Sequence, residues 1–228
     1  MSVPASPAPA EHGWPSVDPE GRAVRFTDRT PRPRPDEFEP ELRGSTVRLE
    51  PMRESHVEAL CRAGRDPAVM RFLPHPIGTK EQMAEFVHAA LAAREAGSAI
   101  PFVTVLQGDG TVVGTTRFMG IEPAHRRMEI GGTWISLPWQ RTRVNTEAKY
   151  LMLRHAFEDL ECLRIEFKTD SLNSRSRAAI LRLGAVEEGI FRNHVITADG
   201  RIRHSVYFSI TSEEWPEVRR RLEQFLRR

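Results

Sequence analysis

The chain has 228 residues, 39% of them hydrophobic and 28% charged, with a formal net charge of +2. That length suits one domain with an extension, and a charge so near balance gives no ground for a nucleic-acid partner. No apolar run is long enough to cross a membrane and the first residues lack the core of a signal peptide, so the expectation is a cytoplasmic protein.

Residues 1–40 hold nine of the 17 prolines and no Leu or Ile. Such a segment buries too little apolar surface to offset its ordering entropy and reads as a Pro-rich flexible arm. Its other reading is an arm that wraps a neighbouring subunit of a homodimer through Trp14 and Phe26. The folded domain is expected over 41–228. Cys61 and Cys162 are not spaced as a metal pair and read as buried thiols in a reducing compartment.

Val47, Leu49 and Pro51 share one side of a first strand over 46–50, and Val57, Leu60, Cys61 and Gly64 recur at helical spacing. Pro74 and Pro76 mark a loop in which His75 is a candidate for the rim of a substrate site. Thr79 and Gln82 form a capping box for a helix carrying Met83, Phe86, Val87, Ala90 and Leu91 on one stripe, which ends at Gly97. Strands over 102–107 and 111–119 are joined by Gly108-Asp109-Gly110, and a third covers 128–137. A helix over 144–160, a strand over 163–169 and a helix over 174–183, stopped by Gly184, follow. Two strands, 186–196 and 202–210, precede a last helix, 212–226, capped by Thr211 and Glu214 with Trp215, Val218, Leu222 and Phe225 as its apolar stripe. An antiparallel meander followed by a βαβ crossover predicts an α/β (α+β) fold with a mixed, mostly antiparallel sheet of about seven strands and helices on both faces.

The stretch 128–160 is where chemistry is expected. A strand, a Pro-containing turn and a helix form a junction whose helix N-terminus presents backbone N–H groups and partial positive charge, with Arg141 and Arg143 just ahead. Such an end suits the pyrophosphate of a cofactor. Simple alternation along the strand places Glu129, Gly131, Thr133 and Ile135 on one side and Ile130, Gly132 and Trp134 on the other.

The run WISLPWQRTRVNTEAKYLMLRHAFE (134–158), followed by FKTDSLNSRSRAAILRLGA (167–185), resembles the GNAT superfamily of acetyl-CoA-dependent N-acetyltransferases, and within it the RimJ/RimL-type branch. The resemblance implies a GNAT-like sheet, acetyl-CoA as cosubstrate and no metal. It places the pyrophosphate on the loop Gln140, Arg141, Thr142, Arg143, Val144, Asn145 and Thr146. Arg143 and Asn145 stand where the family usually has glycine or alanine, and the guanidinium groups would compensate by pairing with phosphate. Glu129 would take the place of the family's general base, directly or through water, or else be a surface carboxylate balancing Arg126 or Arg127. Backbone N–H groups around Trp134 and Ile135 would meet the pantetheine and the thioester oxygen. The Trp134 side chain reads as core, or as a wall of the acceptor pocket. Asn173 would bond the pantetheine arm, or simply cap its helix, and Ser176 or solvent would protonate the leaving thiolate, since the Tyr many family members use here has no counterpart between Tyr150 and Tyr207. His155, His194 and His204 form no metal spacing, and the arginines of the last helix read as a solvated face. The acceptor is a protein N-terminus or a small amine. A second class is a non-catalytic acyl-CoA-binding or partner-binding module on the same fold.

Overall fold

The structure is a computed structural model that describes residues 40–74 and 77–227, so the expectations for His75 and, apart from Pro40, for the Pro-rich arm fall outside the described residues. Eight strands form one sheet in the order β1-β2-β3-β4-β5-β6-β8-β7. They are β1 (Leu42–Arg43), β2 (Val47–Pro51), β3 (Ala99–Leu106), β4 (Val112–Glu122), β5 (Arg127–Ile135), β6 (Arg164–Asp170), β7 (Val186–Ile196) and β8 (Ile202–Thr211). The strand beyond the expected seven is β1, whose two residues are too few to show any periodicity. β2 to β5 form the antiparallel meander, β5 and β6 run parallel, and β8 pairs antiparallel with both β6 and β7.

Alternation along the strands feeds two cores. Val47, Leu49, Ile100, Phe102, Phe118, Ile130, Phe167 and Phe208 face α4 (Arg143–Arg154), α5 (Ser174–Leu183) and α6 (Trp215–Arg227). Val103 and Val105, with Trp134, face α1 (Val57–Ala63), α2 (Pro67–Met70) and α3 (Lys80–Glu95). Each side chain buried this fully contributes about 2 kcal/mol. The Thr79–Gln82 capping box starts α3, and Gly184 at φ 109° ends α5 in a left-handed conformation that suits glycine. The helix expected to reach residue 160 is α-helical only to Arg154 and then widens into a π-turn over His155–Asp159. There His155 Nδ1 meets Asp159 Oδ2 at 2.6 Å.

Two irregularities shape the middle of the sheet. Between the pairs Arg117↔Gly131 and Thr115↔Trp134, β5 carries one more residue than β4. This bulge is centred on Gly132 at φ 57°, a backbone conformation that glycine adopts without strain. It corrects the simple alternation expected for β5. Ile130 and Ile135 both face the α4 side, while Trp134 turns to the α1–α3 side. The second irregularity is that the parallel ladder between β5 and β6 covers only Arg127–Glu129 against Arg164–Glu166. Beyond Glu129 the two strands part, and a fork opens toward the first turns of α4 and α5.

Candidate active site

The loop between β5 and α4 begins with a single helical turn over Leu137–Trp139, which the Gln140 side chain ties back by donating Nε2–H to the Ile135 carbonyl at 2.7 Å. Arg141 then takes φ 63°, and Thr142 caps α4 by accepting from Val144 N–H at 3.3 Å. The positive φ thus falls on Arg141. Arg143 and Asn145, the positions without the family's small residues, are ordinary members of α4 and cost no backbone strain. The Arg143 guanidinium is not turned toward the loop as expected; it donates to the Leu226 carbonyl and so caps the end of α6. Arg175, in the first turn of α5, reaches across the fork to Gln140 Oε1 at 2.5 Å. Leu137, Trp139 and Leu172 are exposed on the two lips. A helix N-terminus with flanking arginines and an apolar rim matches a ligand that joins phosphate to a thin, weakly polar chain. The residues present fit coenzyme A.

Below its first turn, α4 carries two buried charges, Glu147 and Lys149. The Glu147 carboxylate accepts from the backbone N–H of Ser45, Thr46 and Val47 and from the Ser45 hydroxyl, at 2.6 to 2.9 Å. It organises the turn that launches β2. Lys149 donates Nζ–H to Thr116 Oγ1 on β4 at 3.0 Å and to Thr133 Oγ1 in the β5 bulge at 2.5 Å. Val144 is core, and the Thr146 hydroxyl accepts from Arg182 at 2.8 Å, so their side chains are structural.

The opposite face of the sheet carries a row of polar side chains across five strands. Arg117 on β4 lies over the Phe86 ring of α3, and Glu129 sits on β5 at the apex of the fork. Lys168 on β6 pairs with Glu129 at 3.2 Å and lies over the Tyr207 ring on β8. Tyr207 stacks on Phe191 of β7 at 4.2 Å, and its hydroxyl is 3.4 Å from His194 Nε2. Burial, then Lys168 and Arg203, lower the His194 pKa below the ordinary imidazole value. The sequence offered no signal for Lys168, Tyr207 and His194 as neighbours of Glu129, because only the β6–β8–β7 order brings them together.

Asn173 caps α5, its Oδ1 accepting from Ser176 N–H at 3.0 Å, which is the plainer of its two expected roles. That bond leaves the Asn173 amide nitrogen for a ligand. Trp134 is 4% exposed, and its indole N–H has no hydrogen-bond partner among the described residues. The described arginines of α6 face carboxylates or an aromatic ring: Arg219 bonds Glu158 and Glu223, Arg220 bonds Glu217, and Arg221 covers Phe225.

Similarity to known proteins agrees with this geometry. A GCN5-related N-acetyltransferase from Brucella melitensis is 29% identical, superposes with a TM-score of 0.81, and covers 88% of this chain and 90% of its own. RimJ of Mycobacterium smegmatis, solved with CoA-disulfide, is 26% identical with a TM-score of 0.67, covering 78% of this chain and 88% of its own. YdaF of Bacillus subtilis (strain 168), provisionally a ribosomal N-acetyltransferase, is 31% identical over 107 residues, 47% of this chain and 57% of that relative. The chain thus spans little more than half the length of this curated relative. Residues 46–186 match the acetyltransferase (GNAT) domain, and the chain belongs to that family.

Proposed function

We propose that the protein is an acetyl-CoA-dependent N-acetyltransferase that acts on the terminal amine of a protein by direct transfer. The observation that carries this reading is the fork, with Glu129 at its apex and the N-terminus of α4 at its mouth. The name of YdaF, which points to the ribosome, favours a protein acceptor over a small amine. The first N–H groups of α4, with Arg141, hold the pyrophosphate. Leu137, Trp139 and Leu172 cover the pantetheine, and the Asn173 amide bonds it. Acetyl-CoA supplies the activated acetyl group. The edge of β5 left unpaired by β6, ending at Ile135, presents backbone N–H groups to the thioester oxygen. Glu129 takes the proton that the attacking ammonium must lose, and Lys168 holds its carboxylate in place. Holding both reactants on opposite faces of the fork supplies much of the rate gain as positioning.

The test is coenzyme A release from acetyl-CoA with a panel of peptide N-termini and of small amines, combined with intact-mass analysis. Acetylation of peptide α-amines is the expected result. Acetylation confined to polyamines, free amino acids or drugs would overturn the acceptor assignment. Binding of acetyl-CoA with no release on any amine would return the chain to the class of binding modules.

A further inference from the structure

Lys149 is the least explained charge in the described structure. It is buried on the sheet-facing side of α4, and that burial pulls its ammonium down to about 7. Among the described residues no carboxylate forms an ion pair with it; its partners are the hydroxyls of Thr116 and Thr133. A methionine would fill the same space without a buried amine, so packing alone gives no reason for a lysine here. The charged groups nearby are committed elsewhere. Arg117 and Glu129, on the two strands it bridges, lie on the opposite face of the sheet. On β2, Arg48 pairs with Glu50; on α6, Glu223 is held by Tyr150 and Arg219; and Glu147 is turned to residues 45–47. On α5, Arg182 donates to Thr146, and beyond α4 His155 pairs with Asp159.

Thr133 connects this amine to the fork. It sits in the β5 bulge, past the last β5–β6 pair, and is half-buried where Lys149 and Thr116 are buried. Lys149 Nζ–H occupies one lone pair of its oxygen at 2.5 Å. The hydroxyl proton has the Thr116 oxygen at 2.8 Å and the Gly131 carbonyl at 3.3 Å as internal acceptors. A stronger acceptor arriving in the fork would draw that proton outward, and the Lys149 ammonium could replace it.

Resting on the acetyltransferase reading, we infer that Thr133 is the proton donor to the departing thiolate and that Lys149 is the positioning residue that recharges it. As the acceptor nitrogen forms its bond to the acetyl carbon, the carbon–sulfur bond breaks and its electron pair goes to sulfur. Sulfur takes the Thr133 hydroxyl proton while Thr133 takes one from Lys149 Nζ. Two protons leave the acceptor ammonium on the other face, one is consumed at sulfur, and turnover releases one. Lys149 regains its proton through Thr133 once product has left.

The chain's three lysines make the test tractable. In ligand-free protein labelled with ¹⁵N-lysine, the Nζ signal that disappears in Lys149→Met should titrate near neutrality. Thr133→Val should shift that titration. In turnover, Lys149→Met and Thr133→Val should lower kcat on the order of 10²-fold with little change in KM for acetyl-CoA. Thr133→Ser should restore the rate, and the basic limb of the kcat–pH profile should vanish in Lys149→Met. An Nζ that keeps its proton well into the alkaline range overturns the inference. So does a Lys149→Met enzyme with unchanged kcat and pH profile but lowered urea midpoint, the signature of a merely structural lysine. A wild-type protein that acetylates nothing sinks this inference together with the reading beneath it, and that failure appears before any variant is made.

Discussion

The two faces of the sheet around β5 treat charge in opposite ways. On the α4 face Glu147 and Lys149 are buried with fixed partners: four donors for the carboxylate, two hydroxyls for the amine. On the other face Arg117, Glu129, Lys168, Tyr207 and His194 form a row in which anion, cations and rings offset one another while part of each chain stays open. Charge enclosed by backbone specifies geometry, since nothing can exchange for its partners without exposing unsatisfied groups. Charge held by side chains at a cleft can be handed to a substrate. On the proposed function, Glu147 holds the strands that form the fork, Lys149 serves the leaving group through Thr133, and the opposite face meets the acceptor.

The largest expected effect falls on the enclosed side. Glu147→Ala leaves the N–H groups of Ser45, Thr46 and Val47 without their acceptor and should cost about 4 kcal/mol in urea unfolding. A loss of well under 1 kcal/mol would mean that the turn before β2 holds itself, and the contrast between the faces would collapse. On the open side the readout should be catalytic. Glu129→Gln should reduce kcat about 10²-fold, while the lost pairing with the partly exposed Lys168 lowers stability by no more than about 1 kcal/mol. A variant with unchanged rate would remove Glu129 as base and turn attention to His194, whose pKa burial lowers below the ordinary imidazole value.

Much of the fold is legible in the sequence and little of this contrast is, for physical reasons. The helix after β6, the capping box at Thr79–Gln82 and the 186–196 and 202–210 strands each rest on local periodicity or local hydrogen bonding, which the sequence displays directly. Glu147 and Lys149 lay within the recognisable NTEAK run, yet their partners are about 100 and 16 to 33 residues away. No local pattern announces such contacts. The bulge at Gly132 was invisible because one extra residue inverts every later side chain while leaving composition untouched. Arg143 misled for a similar reason: its partner is the last turn of α6, and only the packing of α6 on α4 brings the two together.

Lys149 also sharpens the comparison through pH. Unfolded, its amine holds a proton up to about 10.5, and folded only to about 7. Between those values the unfolded chain binds more protons, so folding stability gains as pH rises across that window, by at most about 1.4 kcal/mol per pH unit; below it the penalty is constant. Cys162 acts in the opposite sense above its ordinary 9.0, because burial pushes its thiol up to about 12. The informative quantity is therefore the difference between wild type and Lys149→Met in urea unfolding from neutral to mildly alkaline pH. Wild type should gain on the variant as pH rises, and parallel curves would show that the amine stays charged when buried.

The smallest expected effect separates two roles that one residue combines. Asn173→Ala removes the acceptor for Ser176 N–H and should cost about 1 kcal/mol, the usual value of a helix N-cap. Asn173→Asp keeps an oxygen for that N–H, and a carboxylate at a helix N-terminus is favourable, so stability should return in full. What aspartate lacks is the amide N–H₂. If the amide bonds the pantetheine, KM for acetyl-CoA stays raised in Asn173→Asp although the fold is restored. If KM returns with stability, Asn173 serves α5 alone, and the proposed cofactor site rests on the N-terminus of α4 and Arg141 without help from α5.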